Sequence, residues 1–413
     1  MSPSRRVLLR RRRLAVFSIL LVVLGGIGYV GATNLAPVPG SAASIVQPDA
    51  LSQPAAAPAW PAFGASAIGA VGFPGVLAST GQEDTVPIAS IAKMVTALVV
   101  LDAKPLGAGE DGPDITFTDA DVDRYYDAIA ENGSVAPVVS GMVLTQREAF
   151  EAMLLPSANN YASSLAVWAY GSADNYLATA KTWLADHTLT QTSIADTSGL
   201  SASSVSSLAD LVEIGQLVVG HPALAEIVAL PSAVLPVIGT ITNTNKLLGK
   251  DGVDGIKTGT TDVAGACLLF STDFTIGTHT VTLVGVVLGG DTHSKLNSAI
   301  AALIDSVQPG FHEVVLAEEG AVFGSYTTPW GDVSDIVAER AASVLVWSDS
   351  PISGTVTAKD VQLGHAGDEV GEVSFTIGAA TPTTVTVPLE LQHTLADPGP
   401  AWRMGHPGEL VAG

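Results

Sequence analysis

Ser90-Ile91-Ala92-Lys93-Met94-Val95-Thr96-Ala97-Leu98-Val99-Val100-Leu101 reads as a helix with almost no polar face, interrupted only by Ser90, Lys93 and Thr96. A helix that is apolar nearly all round belongs in the centre of a domain, so this stretch predicts the core around which the rest is built. Ser90 and Lys93, three residues apart, stack on one helix face one turn apart. A serine hydroxyl is a weak nucleophile until a base stands within hydrogen-bond reach. A lysine amine can be that base only if its ammonium form is destabilised, by apolar burial or by a nearby cation. Two fixed letters in four also match an exposed lysine on a surface helix, but Met94 to Val100 leave little room for an exposed face.

Two further short motifs follow in order. Ser157-Ala158-Asn159 comes directly after Pro156, in a break between helices expected over 145–155 and 161–170. Polar side chains there can project into a cleft, although an ordinary helix N-cap would look the same. Lys257-Thr258-Gly259-Thr260 falls at the end of an expected strand, where Gly259 permits close backbone approach and Thr260 offers an N–H and a hydroxyl. An edge strand there suits an extended peptide; a plain strand connection would also accept the residues. Lys257 brought beside Lys93 would supply the cation that a lysine base needs.

The flanks set the compartment. Arg5, Arg6, Arg10, Arg11, Arg12 and Arg13 precede an uncharged apolar run from Leu14 to Val30. That pattern predicts a cytoplasmic basic segment over 1–13 and a transmembrane anchor or signal peptide over 14–32, with the N-terminus inside. Val30-Gly31-Ala32 and Ser41-Ala42-Ala43 are small-residue sites where a signal could be cut, which would release the protein. The Pro- and Ala-rich stretch 33–61 reads as a linker. Without the six arginines, twelve basic side chains face forty acidic ones, which disfavours nucleic acid and suits a solvated extracytoplasmic surface. The single cysteine, Cys267, lies in an apolar run and reads as a buried small hydrophobe. Histidines stand apart without ligand spacing, so neither a metal nor any other cofactor is expected.

Strands are expected over 65–79, 252–260, 265–271 and 278–288, and helices over 90–101, 208–219 and 299–307. From about 311 to 395 short β-type runs alternate with Gly, Asp and Pro turns, predicting an all-β domain after a main domain over 62–310, with a tail over 396–413.

The three motifs with their flanks resemble the serine-type D-alanyl-D-alanine carboxypeptidases, the S11 peptidases. Pro87 to Leu98 is similar to that family's nucleophile helix and Leu154 to Asn159 to its second motif. Similar stretches include Gly199-Leu200, Thr242 to Leu248 and Val253 to Gly265. The resemblance implies an α+β fold, a serine β-lactamase/penicillin-binding-protein-like catalytic domain with an antiparallel sheet covered by helices, followed by a small all-β domain. It implies an acyl-enzyme on Ser90, formed from peptidoglycan stem peptides with release of D-alanine, and covalent inhibition by β-lactam antibiotics. Carried onto this chain, Lys93 is the base, Ser157 and Lys257 relay a proton to the leaving amine, and Asn159 holds Lys93 and the substrate. The N–H groups of Ser90 and Thr260 form the oxyanion hole, while Lys257, Thr258 and Thr260, with Gly259 between, receive the substrate's carboxylate.

Three departures stand out. Where the family often carries an arginine after Gly289-Gly290, this chain has His293 and Lys295; Asn160-Tyr161 replaces a common Asp-Ala; and 104–140 matches poorly, as a lid or an inert insertion. The alternatives are a β-lactamase-like hydrolase, against which no Glu-x-x-Leu-Asn occurs between the second and third motifs, and an inactive wall-binding or sensor protein, against which the motif residues are intact.

Overall fold

The structure, a computed structural model, describes residues 3–81, 84–378 and 382–411, with side chains from Arg6 onward. The first two residues and Arg5's side chain in the basic segment, and the last two residues of the tail, lie outside the described residues. The chain divides into two compact units: Pro54–His312, and a second made of Met1–Gln53 together with Glu313–Gly413.

The first unit is built on a five-stranded antiparallel sheet. Its strands are β1 (Ala65–Ala70), β2 (Ala78–Thr80), β3 (Val253–Thr261), β4 (Gly265–Ile276) and β5 (His279–Gly290), in the order β3-β4-β5-β1-β2. β3 is therefore an edge. Continuous apolar runs in β4 and β5, rather than alternation, arise because both sheet faces are covered. Cys267, Leu269, Val284 and Val286 join a helical core that contains the Ala92–Ala103 helix. The alternating Leu268, Phe270, Leu283 and Val287 are equally buried but lie outside that cluster, and the His293–Val307 helix packs on β4 and β5. Every residue from Ala92 to Leu101 is buried, as an apolar helix at a domain centre requires.

Several helices start where polar residues disguise the period. The helix expected over 299–307 begins at His293, because Thr292 caps it by accepting from the Lys295 N–H. The stretch 104–140 holds a helix, Asp119–Ala130, opened by a capping box between Thr118 and Asp121. Its strand Asp114–Thr116 pairs with Val143–Thr145.

The second unit carries a six-stranded sheet, ordered Ser44–Ile45, Val322–Thr327, Val333–Ala338, Thr383–Leu391, Glu369–Ile377 and Ile352–Ala358. Its first strand corrects the reading of 33–61 as a linker. Ser44 and Ile45 pair with Ser325 and Gly324, Ser41 bridges to Val361, and Leu51 bridges to Ile352. Gln47 adds two side-chain bonds to the Val356 backbone. The segment has no apolar period because it joins the sheet edge mainly through its backbone.

The apolar N-terminal run lies in a helix spanning Pro3–Leu35, whose stretch Arg6–Leu35 is long and apolar enough to cross a membrane. Its distal end is clasped by the chain's C-terminal tail. Arg403, in the short helix Gly399–Gly405, donates to the carbonyls of Thr33 and Ala36 and pairs with Asp397, while the Tyr29 hydroxyl donates to the Met404 carbonyl.

Candidate active site

Ser90 sits in a single 3-10 turn, Ala89–Ile91, that opens the central helix, and Ala89 ahead of it holds φ +48°. Lys93, one turn on, is fully buried. Its Nζ lies 2.9 Å from Ser90 Oγ, 2.8 Å from Asn159 Oδ1 and 3.1 Å from the Ser198 carbonyl. Burial first, and then the charge of Lys257, push its pKa well below the ordinary lysine value, with Asp196 acting in the opposite direction. The two conditions for a lysine base, apolar burial and a neighbouring cation, are both met.

Lys257 is only 1 % exposed, and burial pushes its pKa down to about 7. Lys257 and Gly259 share a face of β3. A Cβ on Gly259 would lie 3.2 Å from Ser90 N and 3.1 Å from Ala89 Cβ, so the missing side chain lets the strand press against the nucleophile's turn. Thr258 is buried: its hydroxyl bonds that of Thr244 at 2.6 Å, and Lys257 Nζ donates to its carbonyl at 3.1 Å and to its hydroxyl at 3.5 Å. Thr260 is exposed, and its hydroxyl meets His293 Nε2 at 2.7 Å. Burial, then Lys257, lower the His293 pKa. Lys295 instead pairs with Asp291 at 2.7 Å in solvent. Of the two residues standing where an arginine was expected, His293 is the one joined to the site.

Ser157 is buried with φ +64°, a left-handed conformation uncommon for a residue with a side chain and a frequent mark of functional sites. Asn159 begins the helix Asn159–Tyr170. The next two residues, which replace a common Asp-Ala, anchor the poorly matching region: Asn160 exchanges two bonds with Ala136, and the Tyr161 hydroxyl donates to the Pro137 carbonyl. With the Asn159 N–H on the Ser134 carbonyl, they hold 134–137 against the second motif. Beside Asn159 and Ser198 opens a cavity of about 420 Å3, also lined by Arg124, Asp127, Glu131 and Asp196.

Residues outside the three motifs complete the site. Asp196 and Gly199 form the turn that presents the Ser198 carbonyl to Lys93. Gly199 holds φ +79° and packs so tightly on the Ala89 carbonyl that any Cβ would collide with it. The Asp-x-Ser-Gly spelling suits a turn; nothing local shows what it touches.

A serine at the start of a buried helix, joined to a fully buried lysine whose pKa is pushed down, between helices and an antiparallel sheet, defines the class: a penicillin-binding-protein-like serine enzyme. Residues 74–292 match the D-alanyl-D-alanine carboxypeptidase family, peptidase S11, and the chain belongs to that family. It is accordingly a serine-type D-Ala-D-Ala carboxypeptidase. Among solved structures, the peptidoglycan synthesis regulatory factor PBP3 of Streptococcus pneumoniae is similar at 21% identity and TM-score 0.59, over 81% of this chain and 99% of that one. Penicillin-binding protein 6B of Escherichia coli follows at 19% and 0.58, over 83% and 96%. A Streptomyces K15 DD-transpeptidase mutant, at 24% and 0.53, spans 59% of this chain and 97% of its own. These likenesses bear on the fold. No curated protein matches significantly.

Proposed function

We propose that Ser90 is the nucleophile and Lys93 its base, acting on the peptide bond between two terminal D-alanines of peptidoglycan stem peptides. The observation that carries this is the 2.9 Å contact of a fully buried lysine amine with Ser90 Oγ. Neutral Lys93 takes the Ser90 proton as Oγ bonds to the carbonyl carbon. The N–H groups of Ser90 and Thr260 receive the oxyanion; each such donor is worth about 2.7–4 kcal/mol in hydrolases. Ser157 and Lys257 return the proton to the departing D-alanine amine, and water then releases the acyl group. Penicillins would enter the same site and acylate Ser90. The test is mass mapping of the full chain after penicillin treatment: the adduct falls on the peptide containing Ser90, and an adduct elsewhere overturns the assignment.

The substrate's terminal carboxylate would meet Thr260, Lys257 and His293, with the Thr258 hydroxyl serving as a brace through Thr244. A neutral imidazole is a poor substitute for a guanidinium fork. His293→Arg is therefore expected to lower the KM for a D-Ala-D-Ala peptide about tenfold at pH 8, the scale of one charge-assisted hydrogen bond. The gain shrinks as pH falls and the imidazole gains its proton, at a lower pH than for an ordinary histidine because burial and then Lys257 lower its pKa. Equal KM values for both proteins across that pH range would exclude a carboxylate role.

For location, we propose a retained anchor with the arginines inside and the residues beyond the anchor on the outer face. Cleavage after Ala32 or Ala43 would remove Tyr29, and the later cut would also remove both carbonyls that Arg403 binds. Arg403 is 7% exposed, and a guanidinium so enclosed is costly without its acceptors. Intact-mass measurement of the membrane fraction is expected to show the uncleaved chain. A mature protein beginning at Thr33 or Ser44 would refute retention.

A further inference from the structure

Asp196 belongs to none of the three motifs, yet it gathers a whole turn onto one carboxylate. Oδ1 accepts from the Ser198 N–H at 2.6 Å, the Ser198 hydroxyl at 2.8 Å, the Gly199 N–H at 2.6 Å and, more weakly, the Leu200 N–H at 3.3 Å. Oδ2 accepts from the Ser201 N–H at 2.7 Å and the Ser204 hydroxyl at 3.4 Å. Burial alone would push its pKa up; the bonds from Ser201, Ser198 and Gly199 outweigh it and hold the carboxyl below its usual range. The group is an ionised carboxylate saturated by donors, with little left to orient a water.

The turn it builds is tied to the catalytic elements on both sides. The Thr197 carbonyl accepts from Thr96, one turn beyond Lys93 on the central helix, and the Thr197 hydroxyl meets Ser163 on the Asn159 helix. Between these ties the Ser198 carbonyl reaches Lys93 Nζ. A neutral lysine amine has two protons and one lone pair. The Ser198 carbonyl and Asn159 Oδ1 are acceptors only, so they take both protons and leave the lone pair facing the Ser90 hydroxyl.

We propose that Asp196 is a positioning residue for acylation: by fixing the 196–201 turn it places the Ser198 carbonyl that aims the Lys93 lone pair at Ser90, and it holds a negative charge on that turn. This rests on Lys93 being the base. The charged groups acting on Lys93 are Lys257 from β3 and Asp196 from the turn. The neighbouring helix Ala173–Asp186 contributes the Tyr176 hydroxyl on Thr96, kept neutral by burial, and the Asn159 helix contributes an uncharged amide.

The test measures the penicillin acylation rate of the full chain against pH for wild type, Asp196→Asn and Ser198→Ala, with unfolding temperatures alongside. Acylation needs neutral Lys93, so its rate rises with pH through the Lys93 pKa. Removing the Asp196 charge lowers that pKa, and the acidic limb of Asp196→Asn is expected to move to lower pH. Its plateau should fall about ten- to a hundredfold, the scale of a slightly misplaced catalytic group. Ser198→Ala keeps the main-chain carbonyl and the charge; its limb is expected to stay in place while its plateau drops about threefold, the scale of one net hydrogen bond. An Asp196→Asn limb at the wild-type pH, or a rate loss that only tracks the folded fraction, overturns the proposal. If Asp196→Asn does not fold, an unchanged Ser198→Ala plateau overturns it. Wild type that is not acylated at Ser90 would instead defeat the assignment of the nucleophile.

Discussion

Ser90→Ala is expected to abolish covalent labelling by penicillin and to cut D-alanine release by a factor on the order of 10⁴ to 10⁶, the loss seen when the nucleophile of a serine hydrolase is removed. The loss should be chemical. Ser90 is only half-buried and, among the described residues, its hydroxyl is bonded to Lys93 alone, so stability should change by about 1 kcal/mol or less. The gap beside Lys93 is one oxygen atom wide, and the central helix keeps its apolar contacts on every side. Intact-mass spectrometry with and without penicillin reads the first effect, and thermal unfolding reads the second. Undiminished labelling of the alanine variant would remove Ser90 from the mechanism altogether.

The three motifs were legible because each declares its chemistry by residue type: a serine, two lysines in apolar surroundings, and a glycine where a strand must come close. Their partners were not, for a physical reason. Lys93 is held by the Ser198 carbonyl, and a main-chain carbonyl leaves no letter in a sequence. Asp196 acts across about a hundred residues of chain, and its spelling announces a turn whose destination only packing reveals. The segment around Ser44 failed in the same way: a strand that joins an edge mainly through its backbone need not alternate, and its Ala and Pro content imitated a linker. His293 was picked out as a departure from an expected arginine. Its placement on Thr260 follows from a helix that starts at His293, capped by Thr292, ahead of the apolar period that marked its later turns. The insertion-like region 104–140 was opaque because its attachment runs through Asn160 and Tyr161, the residues that differ from the common pattern.

Lys93→Met should separate the chemistry of the base from its effect on folding. The unbranched thioether fills much of the lysine's volume but accepts no proton from Ser90, so acylation should fall about 10³-fold, within the range of a lost general base. Ser90 and Lys93 act as a unit, and the double variant should be no slower than Ser90→Ala. The pH dependence of stability then becomes shallower without changing sign. In the native chain Lys93 titrates well below its ordinary value, by burial first and Lys257 second. In the unfolded chain it titrates near 10.4. Between those two values the unfolded state holds a proton that the native state lacks, so stability rises with pH; below the native value the increment disappears. Lys257, depressed to about 7 by burial, adds a slope of the same sign from about pH 7 upward. Lys93→Met keeps the Lys257 slope and loses its own, so denaturant midpoints measured from pH 7 to 10 should climb less steeply than in wild type. An equal climb in both proteins would mean that Lys93 is protonated in the native state across that range, and a protonated amine cannot take the proton of Ser90.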